Sequence, residues 1–160
     1  MMKSRHGRKL AMFIVLVSLL IAGAVAQEVA IGSASNVQMN ATANLDLTIQ
    51  HSDKNLGALD IVLVYDPSVM EVCRFEANVQ KWLLMDSDLQ KGSARIAILP
   101  LGGNSVDARS PVSVGNFVVE SMNNDGSQTP LGLILNKITD GDSKTITSEF
   151  AGGIRNGSFS

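Results

Sequence analysis

The chain reads as all-β, a two-sheet sandwich or jelly roll, on three observations. Short apolar stretches repeat with a two-residue period, and clusters of Gly, Pro, Asn and Asp punctuate them. Outside the N-terminal apolar stretch, no run of ten or more residues carries a helical period. Many short strands between turn signals, with no helices to cover a sheet, leave sheet-on-sheet packing as the way to bury a core.

Residues 1–26 are expected to lie outside the fold as a signal peptide. Lys3, Arg5, Arg8 and Lys9 precede an apolar run over 10–22, and Ala24-Val25-Ala26 is a small-x-small cleavage site before Gln27. The run is short for a membrane span, which takes about 20 residues. The alternative is an uncleaved anchor. Cleavage leaves residues 27–160 as one domain, long enough to bury a core without staples. The four leader cations come out of thirteen Lys and Arg, leaving nine against fifteen Asp and Glu. The mature charge is therefore near −6, with no basic stripe for nucleic acid or an anionic membrane. Cys73 has no internal disulfide partner and reads as a small buried hydrophobe rather than a reactive thiol.

Residues 28–33 form a short first strand. Ala43, Leu45, Leu47 and Ile49 alternate with polar residues, a half-buried strand that ends in a polar loop at 51–55. Residues 56–72 carry two strands joined by a turn. In the first, Leu59, Ile61, Leu63 and Tyr65 share one face while Ala58, Asp60, Val62 and Val64 share the other. Apolar residues on both faces predict a central strand with one buried side and one sticky side. Asp66-Pro67-Ser68 supplies the turn, Pro presetting φ and the Asp and Ser side chains bonding nearby amides. Val69, Met70 and Val72 resume an apolar run.

Residues 79–85 fit a strand or a single helical turn that packs Trp82 inward, with the strand favoured. Residues 86–92 read as a polar turn, 93–101 as a strand and 102–111 as a loop without periodicity. The strand over 112–121 shifts its apolar phase between Val114 and Phe117, which predicts a bulge at Gly115-Asn116. Asn123-Asn124-Asp125-Gly126 is a turn, Leu131, Leu133 and Leu135 mark another strand, and 139–143 is a turn. Residues 154–159 form the last strand, expected beside the first.

One stretch carries a family resemblance. Leu56-Gly57-Ala58 running into Tyr65-Asp66-Pro67-Ser68 and then Val69-Met70-Glu71-Val72 resembles the cohesin domain, the module that binds dockerins in cellulosomes and related secreted assemblies. The order continues through the Gly102-Gly103 loop, GNFVVES, DGSQTPLGLIL and a terminal NGSFS, covering 36–160. The resemblance implies a jelly-roll sandwich of about nine strands, secreted or at the cell surface, with a dockerin-bearing partner. It implies no cofactor on this chain, any calcium belonging to the dockerin.

Catalysis is not expected. The mature chain holds one His and one Cys, too few for a triad or a zinc site. His51, in a polar loop, reads as a solvated surface residue. The carboxylate pairs Asp86 with Asp88 and Asp140 with Asp142 fall in expected turns, and neither completes an EF-hand loop. No metal site is expected.

The candidate interface is the outward phase of the central strand, Ala58, Asp60, Val62 and Val64, flanked by Ala97, Leu99 and Leu101 on the alternating phase of 93–101. An apolar patch with one carboxylate has the makeup of an interface core. Type I cohesins carry Asn-x-Asp on the corresponding strand. The resemblance assigns those side chains to the dockerin helix. Here Asp60 keeps the Asp and Ala58 replaces the Asn, which tilts the patch toward hydrophobic recognition. Two other readings compete. A polysaccharide-binding sandwich would use stacked aromatic rings, for which Trp82 is the candidate platform. A structural cell-surface subunit would need no dockerin. Asn40 and Asn156 head N-glycosylation sequons.

Overall fold

A computed structural model describes residues 27–123 and 126–160. The expected signal peptide, and positions 124 and 125 of the expected turn, lie outside the described residues. Eleven strands form among the described residues: β1 Gln27–Ile31, β2 Thr42–His51, β3 Asn55–Val64, β4 Met70–Ala77, β5 Trp82–Gln90, β6 Ser93–Pro100, β7 Val106–Asp107, β8 Val112–Ser121, β9 Thr129–Asp140, β10 Ile154–Arg155 and β11 Gly157–Phe159. One sheet runs β10-β1-β2-β8-β4. The other runs β11-β9-β3-β6-β5, with β7 also paired to β3. The chain crosses between sheets at most connections, which gives the expected jelly-roll sandwich. The strand count exceeds nine because the loop over 102–111 contributes β7 and the last segment splits in two. Of that segment, β10 pairs parallel with β1 as expected, while β11 joins β9 in the opposite sheet.

Alternation decides which side chains fill the space between the sheets. Leu45, Leu47 and Ile49 of β2 and Leu59, Ile61 and Leu63 of β3 are buried, and they meet Ile96, Ile98, Phe117, Leu131 and Phe159 in one core. As expected, β3 is central, flanked by β6 and β9. The turn after it is no hairpin: β3 and β4 belong to different sheets, and residues 65–69 cross between them. Asp66 Oδ1 accepts the Ser68 amide at 2.8 Å and the Ser68 hydroxyl at 2.7 Å, the side-chain turn the sequence implied. Tyr65, at 6% exposure, turns its hydroxyl to the Gln90 carbonyl.

Bulges set which way the side chains beyond them point. In β8 the register against β2 jumps from Leu47↔Gly115 to Thr48↔Ser113, so Val114 and Phe117 both point inward, as the phase shift predicted. In β4 the jump between Val72 and Arg74 leaves Cys73 as the extra residue. Cys73 follows the buried Val72 on the outward phase, so it is exposed rather than buried, and the bulge then returns Phe75 to the core. Partial desolvation, with the carboxylates of Glu120 and Glu71, raises its thiol pKa, which keeps it a poor nucleophile. In β9 the jump between Leu135 and Lys137 against β3 leaves Asn136 as the extra residue.

Other expectations change in detail. Residues 78–81 form a single turn closed by Trp82 N–H bonding to the Asn78 carbonyl, and β5 starts at Trp82, so both readings of 79–85 hold in part. The expected polar turn over 86–92 is mostly β5; only Lys91 and Gly92 make the hairpin turn, with Gln90 paired to Ser93. Asp86 and Asp88 are therefore strand residues. The Leu56-Gly57-Ala58 stretch has a packing reason. A Cβ on Gly57 would sit 2.5 Å from both the Asp140 carbonyl oxygen and the Thr139 hydroxyl, and that hydroxyl accepts the Ala58 N–H at 2.7 Å. Only glycine lets β9 approach so closely.

Candidate functional site

The outer face of the six-stranded sheet is the part of the molecule that sequence reasoning singled out. Ala58, Asp60 and Val62 on β3 are half-buried, Val64 is 38% exposed, and Leu99 on β6 is exposed. No other described segment buries them. Pairing adds Arg95, Ile134, Leu83 and Met85 to the side chains that the sequence reading named. Val62 faces Arg95 on one side and Ile134, 52% exposed, on the other; Ala58 and Asp60 lie beside Leu99 and Ala97 of β6. On β5, Leu83 pairs with Leu99, and Met85 is exposed at the bulge before Asp86. Leu101 falls away from the group. It follows Pro100, where β6 ends, and sits in the turn over 101–103, held by its amide to the Lys81 carbonyl.

The face has two apolar zones with a charged bridge between them. Val62, Val64 and Ile134 form one zone. Ala58, Ala97, Leu99, Leu83 and Met85 form the other. Between them Arg95 grips Asp60 with two parallel donors, Nε to Oδ1 at 3.0 Å and Nη2 to Oδ2 at 2.6 Å. Its Nη1 reaches Asp86 Oδ2 at 3.2 Å, and the Asn136 amide donates to Asp60 Oδ1 at 3.2 Å. Arg95 holds the Asp60 carboxyl below the usual carboxylate range, with Asn136 adding to the effect. Asp60 is thus an acceptor already in use.

Depth on this face comes from small residues. Ala58 and Ala97 floor a depression of about 330 Å³ rimmed by Met85, Leu99 and Lys137. A cleft of about 610 Å³ continues from it toward the Gly102-Gly103 turn and shares Ala58, Leu99 and Lys137. Lys137 is exposed and forms no ion pair among the described residues.

Two side chains depart from expectation in ways that bear on function. Trp82 is 1% exposed, and its indole N–H donates to the Ser113 carbonyl at 3.2 Å, so it offers no ring face to a sugar. Tyr65, Phe75, Phe117, Phe150 and Phe159 are buried as well, so no described aromatic ring is exposed. His51 is wholly buried rather than solvated. Its Nε2 lies 2.9 Å from Glu149 Oε2, its Nδ1 accepts the Lys54 amide at 3.2 Å, and its ring meets Phe150 edge-on. Lys54 and then His51 hold the Glu149 carboxyl below its ordinary value. Asp140 spends Oδ1 on the amides of Asp142 and Lys144, which is turn bonding. Among the described residues, no group of three or more His, Cys, Asp or Glu side chains is placed to hold a metal ion. Asn40 and Asn156 are both exposed.

The sequence could have yielded Arg95 and Ile134, since both sit on the outward phase of runs already recognised as strands. It could not have yielded Lys137, because the bulge at Asn136 reverses the phase of β9 just before it.

No family model matches the chain, and no curated protein matches it. Solved structures do. A non-cellulosomal cohesin from the hyperthermophilic archaeon Archaeoglobus fulgidus is 20% identical, with a TM-score of 0.63 over 83% of this chain and 88% of that one. A chain of the type I cohesin–dockerin complex Coh-OlpA–Doc918 from Clostridium thermocellum is 15% identical, with a TM-score of 0.63 over 83% and 96%. The cohesin module of a Clostridium perfringens family 33 glycoside hydrolase is 15% identical, with a TM-score of 0.65 over 83% and 93%. Shared architecture over nearly the whole of each neighbour, at identities this low, establishes that the chain has the cohesin fold.

Proposed function

We propose that the protein is an exported, non-catalytic interaction module that binds a dockerin-type helical partner through the outer face of its six-stranded sheet. One observation carries the reading: apolar side chains on β3, β5, β6 and β9 stand exposed on a sheet face that no other described segment covers. Exposed apolar area of this kind marks an interaction surface. From Ala58 to Val64 the face extends roughly 20 Å along β3 at about 3.4 Å per residue. An α-helix of about 13 residues matches that length. Solved neighbours in cohesin–dockerin complexes support the choice of partner. The leader sequence supports export, and calcium, where required, belongs to the dockerin. On the same reading, Asn40 and Asn156 are glycan acceptors only where the exporting cell glycosylates.

The polysaccharide reading has no platform, since every described aromatic ring is buried. The test is calorimetric titration against a panel of purified dockerins, with and without calcium. Val62→Arg, in the middle of the face, serves as the blocking variant. Binding in the micromolar range or tighter, abolished by Val62→Arg, supports the proposal. Failure of every dockerin to bind, or binding indifferent to that variant, overturns it in favour of a structural subunit.

A further inference from the structure

Resting on the reading that the sheet face binds a helical partner, we infer that this partner seats an aliphatic side chain in the depression over Ala58 and Ala97 and sets a carboxylate against Lys137. The face then selects an acidic, apolar helix.

The charges on the face lead to this partner. Asp60, the residue expected to meet a partner's donors, has both oxygens engaged by Arg95 and a further bond from Asn136. Arg95 in turn directs Nε and Nη2 to Asp60 and Nη1 to Asp86. Asp60 and Arg95 satisfy one another, and a partner would have to break a bidentate pair to use either; Asp86 makes only the single Oδ2 contact and stands exposed on the β5 side. Lys137 stands directly beside this bridge, opposite Asp60 in the β3–β9 register, with its ammonium unpaired among the described residues. The protein as a whole is acidic, so an unpaired cation at the rim of its apolar face runs against the general field. A carboxylate is the group that complements it.

The shape points the same way. β3 and β6 carry alanines at positions 58 and 97, while Met85 and Leu99 stand up around them. The resulting recess is apolar except for Lys137 and the edge of Asp60. An aliphatic side chain fills it without leaving a polar group unpaired. On a helix, a carboxylate three or four residues from that side chain lies on the same face and reaches the rim.

The test uses the full chain, with the dockerin panel as probe, and compares three variants by calorimetry: Val62→Arg, Lys137→Glu and Ala97→Trp. Circular-dichroism melts check that each folds. Lys137→Glu should weaken binding by about tenfold or more, a loss that shrinks in high salt. Replacing one Asp or Glu of the dockerin helix with Lys should restore affinity for Lys137→Glu. Ala97→Trp, which fills the recess, should weaken binding by a similar factor. Loss of binding with Val62→Arg while either Lys137→Glu or Ala97→Trp stays within about twofold of wild type overturns this inference and leaves the sheet-face reading standing. Indifference to Val62→Arg, or no dockerin binding at all, overturns both.

Discussion

Arg95 and Asp60 are not directly opposed on their neighbouring strands, yet their side chains form a two-pronged pair at 3.0 and 2.6 Å across the outer face of the sheet. Arg95 stands opposite Val62, on the diagonal from Asp60. Directly opposite Asp60 is Ala97, and its small side chain leaves room for the guanidinium to lean across. The pair is partly exposed, so its contribution is screened.

The first prediction concerns that pair. Asp60 has a folded-state pKa below its ordinary 3.8, because Arg95 and then Asn136 bond the ionised form. Its stabilising contribution is therefore present at neutral pH and is lost as pH falls below about 4 through the lowered folded value. Asp60→Asn should cost about 1 kcal/mol at pH 7. Urea titrations should show the gap between wild type and variant closing toward pH 3. Sequence reasoning alone would assign Asp60→Ala an affinity loss of about 2 kcal/mol as an interface anchor. With its acceptors already occupied, part of the effect of that variant should appear as lost fold stability instead.

Gly57 gives the second. An added Cβ meets the Asp140 carbonyl oxygen at 2.5 Å, and the obstacle is backbone, which cannot swing aside. Gly57→Ala should destabilise by about 1–3 kcal/mol. Amide exchange at Ala58 should quicken, since its bond to the Thr139 hydroxyl would lengthen. A variant as stable as wild type would mean that β9 stands further from β3 than 2.5 Å implies.

Trp82 supplies the third. Trp82→Phe keeps most of the ring in the core and removes the N–H bond to Ser113, at a cost of about 1 kcal/mol. Trp82→Ala opens a cavity and should cost about 3–5 kcal/mol. Both should leave polysaccharide retention in affinity gels at the level of wild type. Retention that depends on Trp82 would show that the indole reaches solvent after all.

Most of the fold is legible in the sequence because period-two burial is a strong signal. Leu59, Ile61 and Leu63 on one side and Ala58, Asp60, Val62 and Val64 on the other can be assigned without coordinates, and so can the bulge near Gly115. A bulge also accounts for one of the misses. It inserts a residue and reverses every side chain beyond it, so Lys137 joins the face, whereas Cys73 is exposed by plain alternation after the buried Val72. A polar run is likewise ambiguous between a turn and an exposed edge strand, which is why Asp86 and Asp88 read as loop residues. His51 differs from these. Its sequence neighbours Ser52, Asp53 and Lys54 are polar, but its burial comes from Glu149 and Phe150, almost a hundred residues away. Local composition holds no record of such a contact.

His51 therefore makes the last prediction. The ring packs edge-on against Phe150 at 5.6 Å, its Nε2–H donates to Glu149, and its Nδ1 accepts the Lys54 amide. The end of β2 is thereby tied to the short helical turn Thr147–Phe150. His51→Ala removes the packing and strands the Lys54 N–H, and it should cost about 2–4 kcal/mol. His51→Phe keeps an aromatic ring in the same space and loses only the hydrogen bonds, so it should cost about 1–2 kcal/mol. Glu149 retains its Lys54 partner in both variants, so neither leaves a carboxylate without a cation. The ordering, with Ala worse than Phe and Phe worse than wild type in urea midpoint, distinguishes a buried tie from a surface residue. A solvated His51 would tolerate all three side chains alike.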